Sequence, residues 1–494
     1  MTKKLAAILS VTVLASISTA CGSGGPVPEP AKSDTAKPQL RQLLQYNRFD
    51  PNNDPVGKYL KEKTGYDVKY DMLPVENADE KLNLLMANKE PYDIMKLNAN
   101  QYAKLSSSGA LEPLDDLIKK YGKNMQEVIG TTSWNGARLN GKLYAIPEGS
   151  SGVATGTALV YRQDWLDELG LKPPTTRDEL YAVLKTVKEK KNVIPITGGK
   201  DPFQAEIGST FGWYYGPGTN WSVRDGKIVH MVEDPKTKDY LAFMKKLYTE
   251  GLLDAEWAIN QPNKLLEKFT SGKAFMFRSG WWDAANLNNA LAKNFPDAKI
   301  GILPYLTGDS GKAAQVGTGG IPWFIAIPKW SPNKEEAMKY LDLKLEKEIF
   351  KGLAIGREGV HHEVKDGKYY PILPKFNDEW NFGSDFLTGT DEKNYEAYWQ
   401  ARVRKNEFVQ NHYETYQAKA KGILYHDALT YAPPMADISK HSQKLQKQAE
   451  DAFIKYVTGA EPLETYDKFL EQWKASGGSD MTKAANEWYK SSRK

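Results

Sequence analysis

At 494 residues with one cysteine, Cys21, the chain is long enough for two or more domains and must hold them together without a disulfide. Its formal net charge is +4, or +2 once Lys3 and Lys4 of the leading segment are set aside (4 − 2), and the charges are of mixed sign, so nothing indicates a nucleic-acid partner. Aromatic residues make up 11%, with 13 Trp and 27 Tyr against a hydrophobic fraction of 40%, and many of them stand in loops rather than in core-forming runs.

Residues 1–20 read as a secretory signal peptide: Lys3 and Lys4, an apolar run from Leu5 to Ile17 too short to span a bilayer as a mature helix, then the small residues Ser18, Thr19 and Ala20. Cys21 stands where a bacterial lipoprotein carries its acyl chains, although Ser18 occupies a position that usually holds Leu. With residues 22–38 rich in Gly, Pro and Ser, the segment 21–38 is expected to be a lipidated cysteine and a flexible tether. That places the protein at the cell membrane, anchored by lipid on the extracytoplasmic face.

Further on, the pattern predicts strands over 39–46, 66–72 and 92–97, alternating with helices over 56–63, closed by Gly65, and 79–88. Such βαβαβ order argues for a parallel, doubly wound sheet whose ligand crevice lies beyond the strands' carboxyl ends, here Tyr46-Asn47 and Asn98 to Gln101. A short apolar run, 143–146, stops at Pro147, and a second β-type run covers 157–161 after a flexible connector. Helices follow over 163–169, ended by Gly170, and from Thr176, whose spacing to Glu179 is that of a capping box. Next comes an aromatic loop, 211–221, then a helix over 263–270 and a strand over 274–278 that delivers Gly280-Trp281-Trp282-Asp283 at its end. A Gly-rich crossing, 317–320, leads into a strand over 323–327 and a helix with Ser331 as cap and Pro332 at its first position. Residues 352–390 read as irregular, and from about Tyr395 onward the chain reads as helical.

Several stretches carry a resemblance: GKLYAIP (141–147), VYRQDWLDELGL (160–171), PPTTRDEL (173–180), SSSGALEPLDDLI (106–118), FTSGKAFMFRSGWW (269–282) and YVTGAEPLETYDKFLEQW (456–473). In their order and spacing they resemble the extracellular solute-binding proteins of ABC importers, and most of all the large lipoprotein subgroup of Gram-positive bacteria. The resemblance implies an α/β, two-domain periplasmic-binding-protein-like fold of class II type. Two doubly wound sheets would be joined by hinge strands, and a helical C-terminal tail would pack mainly on the second domain. Domain 1 is expected over 39–147 and 317–375, and domain 2 over 148–316 and 376–494. The implied partners are a carbohydrate ligand, ABC permease subunits and the membrane through the lipid anchor; a monomer with no cofactor is expected.

By the resemblance, the loop holding Trp281, Trp282 and Asp283 lines the ligand cleft. The residue types suit a sugar, since pyranose C–H faces lie on aromatic rings while edge hydroxyls bond carboxylates, amides or guanidinium groups. A packed Trp pair in the core is the competing reading. Trp213, Tyr214, Tyr215 and Trp221 form a second set, equally readable as packing for an irregular loop, and Trp323 reads as core slightly more readily than as ligand contact. Glu148 and Arg357, flanking the crossings, are candidate hydroxyl partners, and Asn47 and Gln101 stand at strand ends. His361-His362-Glu363 reads as a solvated loop rather than a metal site. Alginate-type relatives carry a carboxylate-rich calcium loop where this chain reads KEKKNVIPITGG (188–199), so no calcium is expected there. A secreted polysaccharide-degrading enzyme and a peptide-binding transport protein are the alternatives, but no G-x-S-x-G elbow, P-loop or dinucleotide fingerprint is present.

Overall fold

The computed structural model describes residues 37–149, 155–199, 219–303, 305–307 and 313–492, so Cys21, Trp213, Tyr214 and Tyr215 lie outside the described residues. Nine strands build the two main sheets: β1 Leu40–Leu44, β2 Val68–Met72, β3 Ile94–Leu97, β4 Ala145–Glu148, β5 Thr157–Arg162, β6 Ile194–Ile196, β7 Ala274–Gly280, β8 Ile300–Leu303 and β9 Trp323–Ala326. Local chemistry sets many of the flanking helices. Asp54 accepts from the Val56 amide and Pro55 opens the helix Pro55–Thr64, while Gly65 ends it at φ 70°, where a side chain would be strained. Thr176 and Glu179 form the expected capping box of Arg177–Lys191, and Asn98 and Gln101 form another on Ala99–Ser107.

The first sheet runs β2-β1-β3-β9-β4. β1 is parallel to β2 and β3, whereas β9 enters antiparallel between β3 and β4. In consequence the carboxyl ends of β1, β3 and β4 and the amino end of β9 share one edge. The second sheet runs β8-β5-β7-β6, with β5 antiparallel to β7 and β8. Gly280 pairs with Thr157, so the end of β7 lies where the chain enters β5 from the first crossing.

Each sheet has its own apolar core. Leu43, Ile94, Ile146 and Phe324 pack around the first, and Leu159, Leu180, Leu184 and Phe275 around the second. Phe453, Tyr466 and Trp473 of the C-terminal helices join the second core. Phe376, Trp380, Tyr395 and Tyr398, by contrast, are buried in the first.

Other expectations are corrected. Pro147 lies inside β4 rather than stopping it: β4 is the edge strand, with a ladder on one side only, and can lack an N–H. The segment read as irregular holds the end of the helix Lys347–Ile355, a hairpin of His362–Lys365 with Lys368–Pro371, and the helix Lys375–Trp380. Its turn is Asp366-Gly367, both at positive φ, as a tight two-residue hairpin demands. Ser331 does not open the following helix, which runs Lys334–Leu343; its hydroxyl bonds Asp93 at 2.8 Å.

Candidate functional site

A cavity of about 400 Å³ opens at the shared edge of the first sheet. β1 runs out there into Gln45 and Tyr46, β3 contributes Lys96, β4 ends in Glu148, and Trp323 of β9 pairs with Glu148 across the ladder. Asp385 and the helix Tyr395–Val403, through Tyr395 and Trp399, complete the wall.

Its floor is ionic. Lys96 Nζ stands 2.9 Å from Glu148 Oε1 and 2.8 Å from Oε2, and also donates to the Leu387 carbonyl at 3.1 Å. Lys96 and Glu148 are each only 5% exposed, and the Trp323 ring centroid lies 5.6 Å from the ammonium. Burial pushes the Glu148 carboxyl up to about 7 against the pull of Lys96. Behind the floor burial also brings the Lys344 ammonium down to about 7, with its Nζ donating to the Phe386 carbonyl at 2.6 Å.

The rest of the polar lining is held by bonds from outside. Gln45 Nε2 donates to the Lys96 carbonyl at 2.6 Å and to Gln101 Oε1 at 3.0 Å, and Asn47 Nδ2 donates to Asp385 Oδ1 at 2.7 Å. Phe49 stacks on Phe382 with centroids 4.8 Å apart.

Trp281 sits beside this cavity without lining it. Its ring meets Trp399 edge-on at 6.4 Å, Tyr413 at 5.3 Å and Trp282 at 5.4 Å, so it is half packed against the helices Tyr395–Val403 and Glu407–Ala420. Trp282 is 54% exposed. Its indole lies over Gly156, on which a Cβ would come within 3.1 Å of Trp282 Cζ3 and 3.8 Å of Thr318 Cγ2, and Thr318 is on the cavity wall. Asp283 is exposed at the start of the helix Ala284–Asn294, and partial burial of its carboxyl raises its pKa.

Of the residues expected from sequence, then, Glu148 and Trp323 line the cavity, Asn47 braces it and Trp282 borders it. Gln101 is a buried cap that holds Gln45 rather than a lining residue. Trp221 is corrected to core: it opens a hairpin, Trp221–Arg224 with Lys227–His230 closed by Asp225-Gly226, and its ring meets His230 at 4.7 Å. Arg357 lies off the site, paired with Glu62 at 2.5 Å. His361 and His362 are buried, not solvated: His361 accepts from the Arg357 amide and faces Glu379, and His362 meets the Ile355 carbonyl at 3.1 Å. Lys96, Asp385, Tyr395 and Trp399 were not foreseen. A lysine inside the otherwise apolar strand IMKL was the one available signal.

Residues 50–348 match the model of a family described as bacterial extracellular solute-binding protein. The chain belongs to that family. As an extracellular solute-binding protein it is 24% identical over 499 residues to the polygalacturonan/rhamnogalacturonan-binding protein YtcQ of Bacillus subtilis (strain 168), covering 96% of this chain and 94% of the relative. It is 26% identical over 404 residues to a carbohydrate ABC transporter substrate-binding protein of Streptococcus pneumoniae, covering 78% and 79%. Among solved structures, the alginate-binding protein AlgQ2 without calcium ion superimposes with a TM-score of 0.69 at 20% identity, covering 93% of this chain and 99% of that one. The shared fold is that of periplasmic-binding-protein-like solute-binding proteins, mixed α/β.

Proposed function

We propose that this solute-binding protein captures an oligosaccharide in the cleft between two lobes, one around each main sheet, and presents it to an ABC permease. The observation that carries the reading is the cavity itself. Its lining combines the aromatic rings of Trp323, Trp399 and Tyr46 with the carboxylate and amide groups of Glu148, Asp385 and Gln45. That pairing answers the two chemistries of a sugar ring, apolar faces and a rim of hydroxyls. Closure of the second lobe brings Trp282 over the ligand, a population shift stabilised by contacts that the open form lacks. Trp213, Tyr214 and Tyr215 are candidates for further contacts. A lipid on Cys21 holds the protein at the outer face of the membrane. The reading calls for no catalytic residue and no cofactor.

A thermal-shift screen of the chain from Gly22 onward tests it, since this form keeps the whole compact unit Pro38–Lys494. A ligand at 100 times its Kd adds about 2.7 kcal/mol of stability. One class of oligosaccharide should raise the midpoint and be recovered intact. Degradation of the sugar would favour an enzyme, and a response to peptides alone would sink the carbohydrate reading.

A further inference from the structure

The cavity's charges are few and already committed. Among the described residues its lining holds one cation, Lys96, and two carboxylates, Glu148 and Asp385. Lys96 donates to Glu148 Oε1 and to the Leu387 carbonyl and stands 2.8 Å from Glu148 Oε2, and the Trp323 ring lies 5.6 Å from its ammonium. At 5% exposure its ammonium is already given to Glu148 and Leu387. Asp385 is different. It is half-buried, receives the Asn47 amide at 2.7 Å, and has no salt-bridge partner among the described residues.

A uronate entering such a site would lose its water, find no unpaired cation among the described lining residues and face the Asp385 carboxylate. Burying a charge without a partner is strongly unfavourable, and a facing like charge adds to that. A neutral sugar meets none of this: its hydroxyls donate to Asp385 and to the Gln45 side-chain oxygen, and its ring faces lie on Tyr46, Trp323 and Trp399.

We propose that this cavity selects an uncharged sugar unit and turns uronates away, so that the protein serves neutral oligosaccharides although relatives of the same architecture bind polygalacturonan and alginate. The inference rests on the carbohydrate reading above and concerns the charge of the unit held.

The test is isothermal titration of the chain from Gly22 onward with paired ligands. Each acidic oligosaccharide, such as an oligogalacturonate or an oligomannuronate, is matched with its carboxyl-reduced counterpart and set beside neutral gluco-, xylo-, manno- and fructo-oligosaccharides. The expected result is binding within the neutral set, with each acidic member weaker than its neutral partner by at least about tenfold and weaker still as salt is lowered. Asp385→Asn removes a hydroxyl acceptor along with the charge, so it should weaken the neutral ligand and still narrow the ratio between each neutral sugar and its acidic partner. An acidic member binding as tightly as its reduced partner, or more tightly, overturns the proposal and leaves the carbohydrate reading standing. If no sugar of either charge binds, both fall. The wild-type comparison decides the matter even if the variant folds poorly.

Discussion

The Trp282 indole rests on Gly156 so closely that a Cβ there would stand 3.1 Å from Cζ3 of the ring, tighter than ordinary van der Waals contact. The glycine belongs to the first crossing and the tryptophan to the end of β7, so their contact ties the crossing to the edge of the second sheet. Trp282→Ala should change stability by no more than about 0.5 kcal/mol, because the ring is largely exposed, while weakening ligand binding about tenfold or more. Gly156→Ala should displace the indole and weaken binding in the same direction. Titration of both variants with the sugar found by thermal shift checks this, and wild-type affinity in Trp282→Ala would remove that residue from the site.

Trp281 should behave otherwise. Its ring is wedged among Trp399, Tyr413 and Trp282, so Trp281→Ala leaves a void between two helices. We expect a loss of about 2–4 kcal/mol, below that of a fully buried tryptophan because one face is open. Urea unfolding measures it. A variant with unchanged midpoint but abolished binding would make Trp281 a ligand contact first and a packing residue second.

Glu148→Gln tests the buried pair. The substitution preserves shape and removes the carboxylate charge, while the amide oxygen and the Leu387 carbonyl remain as acceptors for an ammonium 5% exposed. Because burial already brings the Glu148 carboxyl up to about 7, the neutral amide should cost no more than about 1 kcal/mol at pH 7. A loss of about 3 kcal/mol or more in urea unfolding would contradict this account and make the ionised pair the support of the floor.

His230 makes stability depend on acid. It is buried, its ring centroid lies 4.7 Å from those of both Trp221 and Trp473, its Nδ1 accepts from the Val232 amide at 3.2 Å, and burial brings its pKa down to about 3. Between that value and the ordinary 6.5 the unfolded chain holds a proton that the folded chain refuses. Stability from this group is therefore full above 6.5 and falls as pH drops through that window, by up to about 2 kcal/mol at pH 5. His412, brought down to about 4, acts with the same sign. Comparing unfolding free energies at pH 7 and pH 5 in wild type and His230→Phe isolates the imidazole; parallel losses in the two would refute its part.

Much of the scaffold was legible in local chemistry. Gly65, Gly170 and the Thr176–Glu179 box end or start helices at the positions their spacing marks, and the strand leading to Trp281 does run out at Gly280. The site was legible in part, because its decisive relations are not local. Glu148 and Lys96 are brought together only because β9 enters between their strands, and Asp385 and Trp399 come from stretches with no distinctive period. Trp221 was misplaced for a more avoidable reason. Asp225-Gly226 is a hairpin turn, and reading it would have put Trp221 in a strand.

The place of β9 also bears on how the chain comes to be folded outside the cell. β3 and β4 have no direct ladder between them; the slot is filled by a strand that follows all four strands of the second sheet in the chain. While the polypeptide emerges amino end first, both neighbours of that slot expose unpaired backbone, and the pairing that covers them spans a long loop, which slows folding. Trp399 arrives later still. Until β9 and Trp399 are in place the chain therefore has raw sheet edges and no finished cavity.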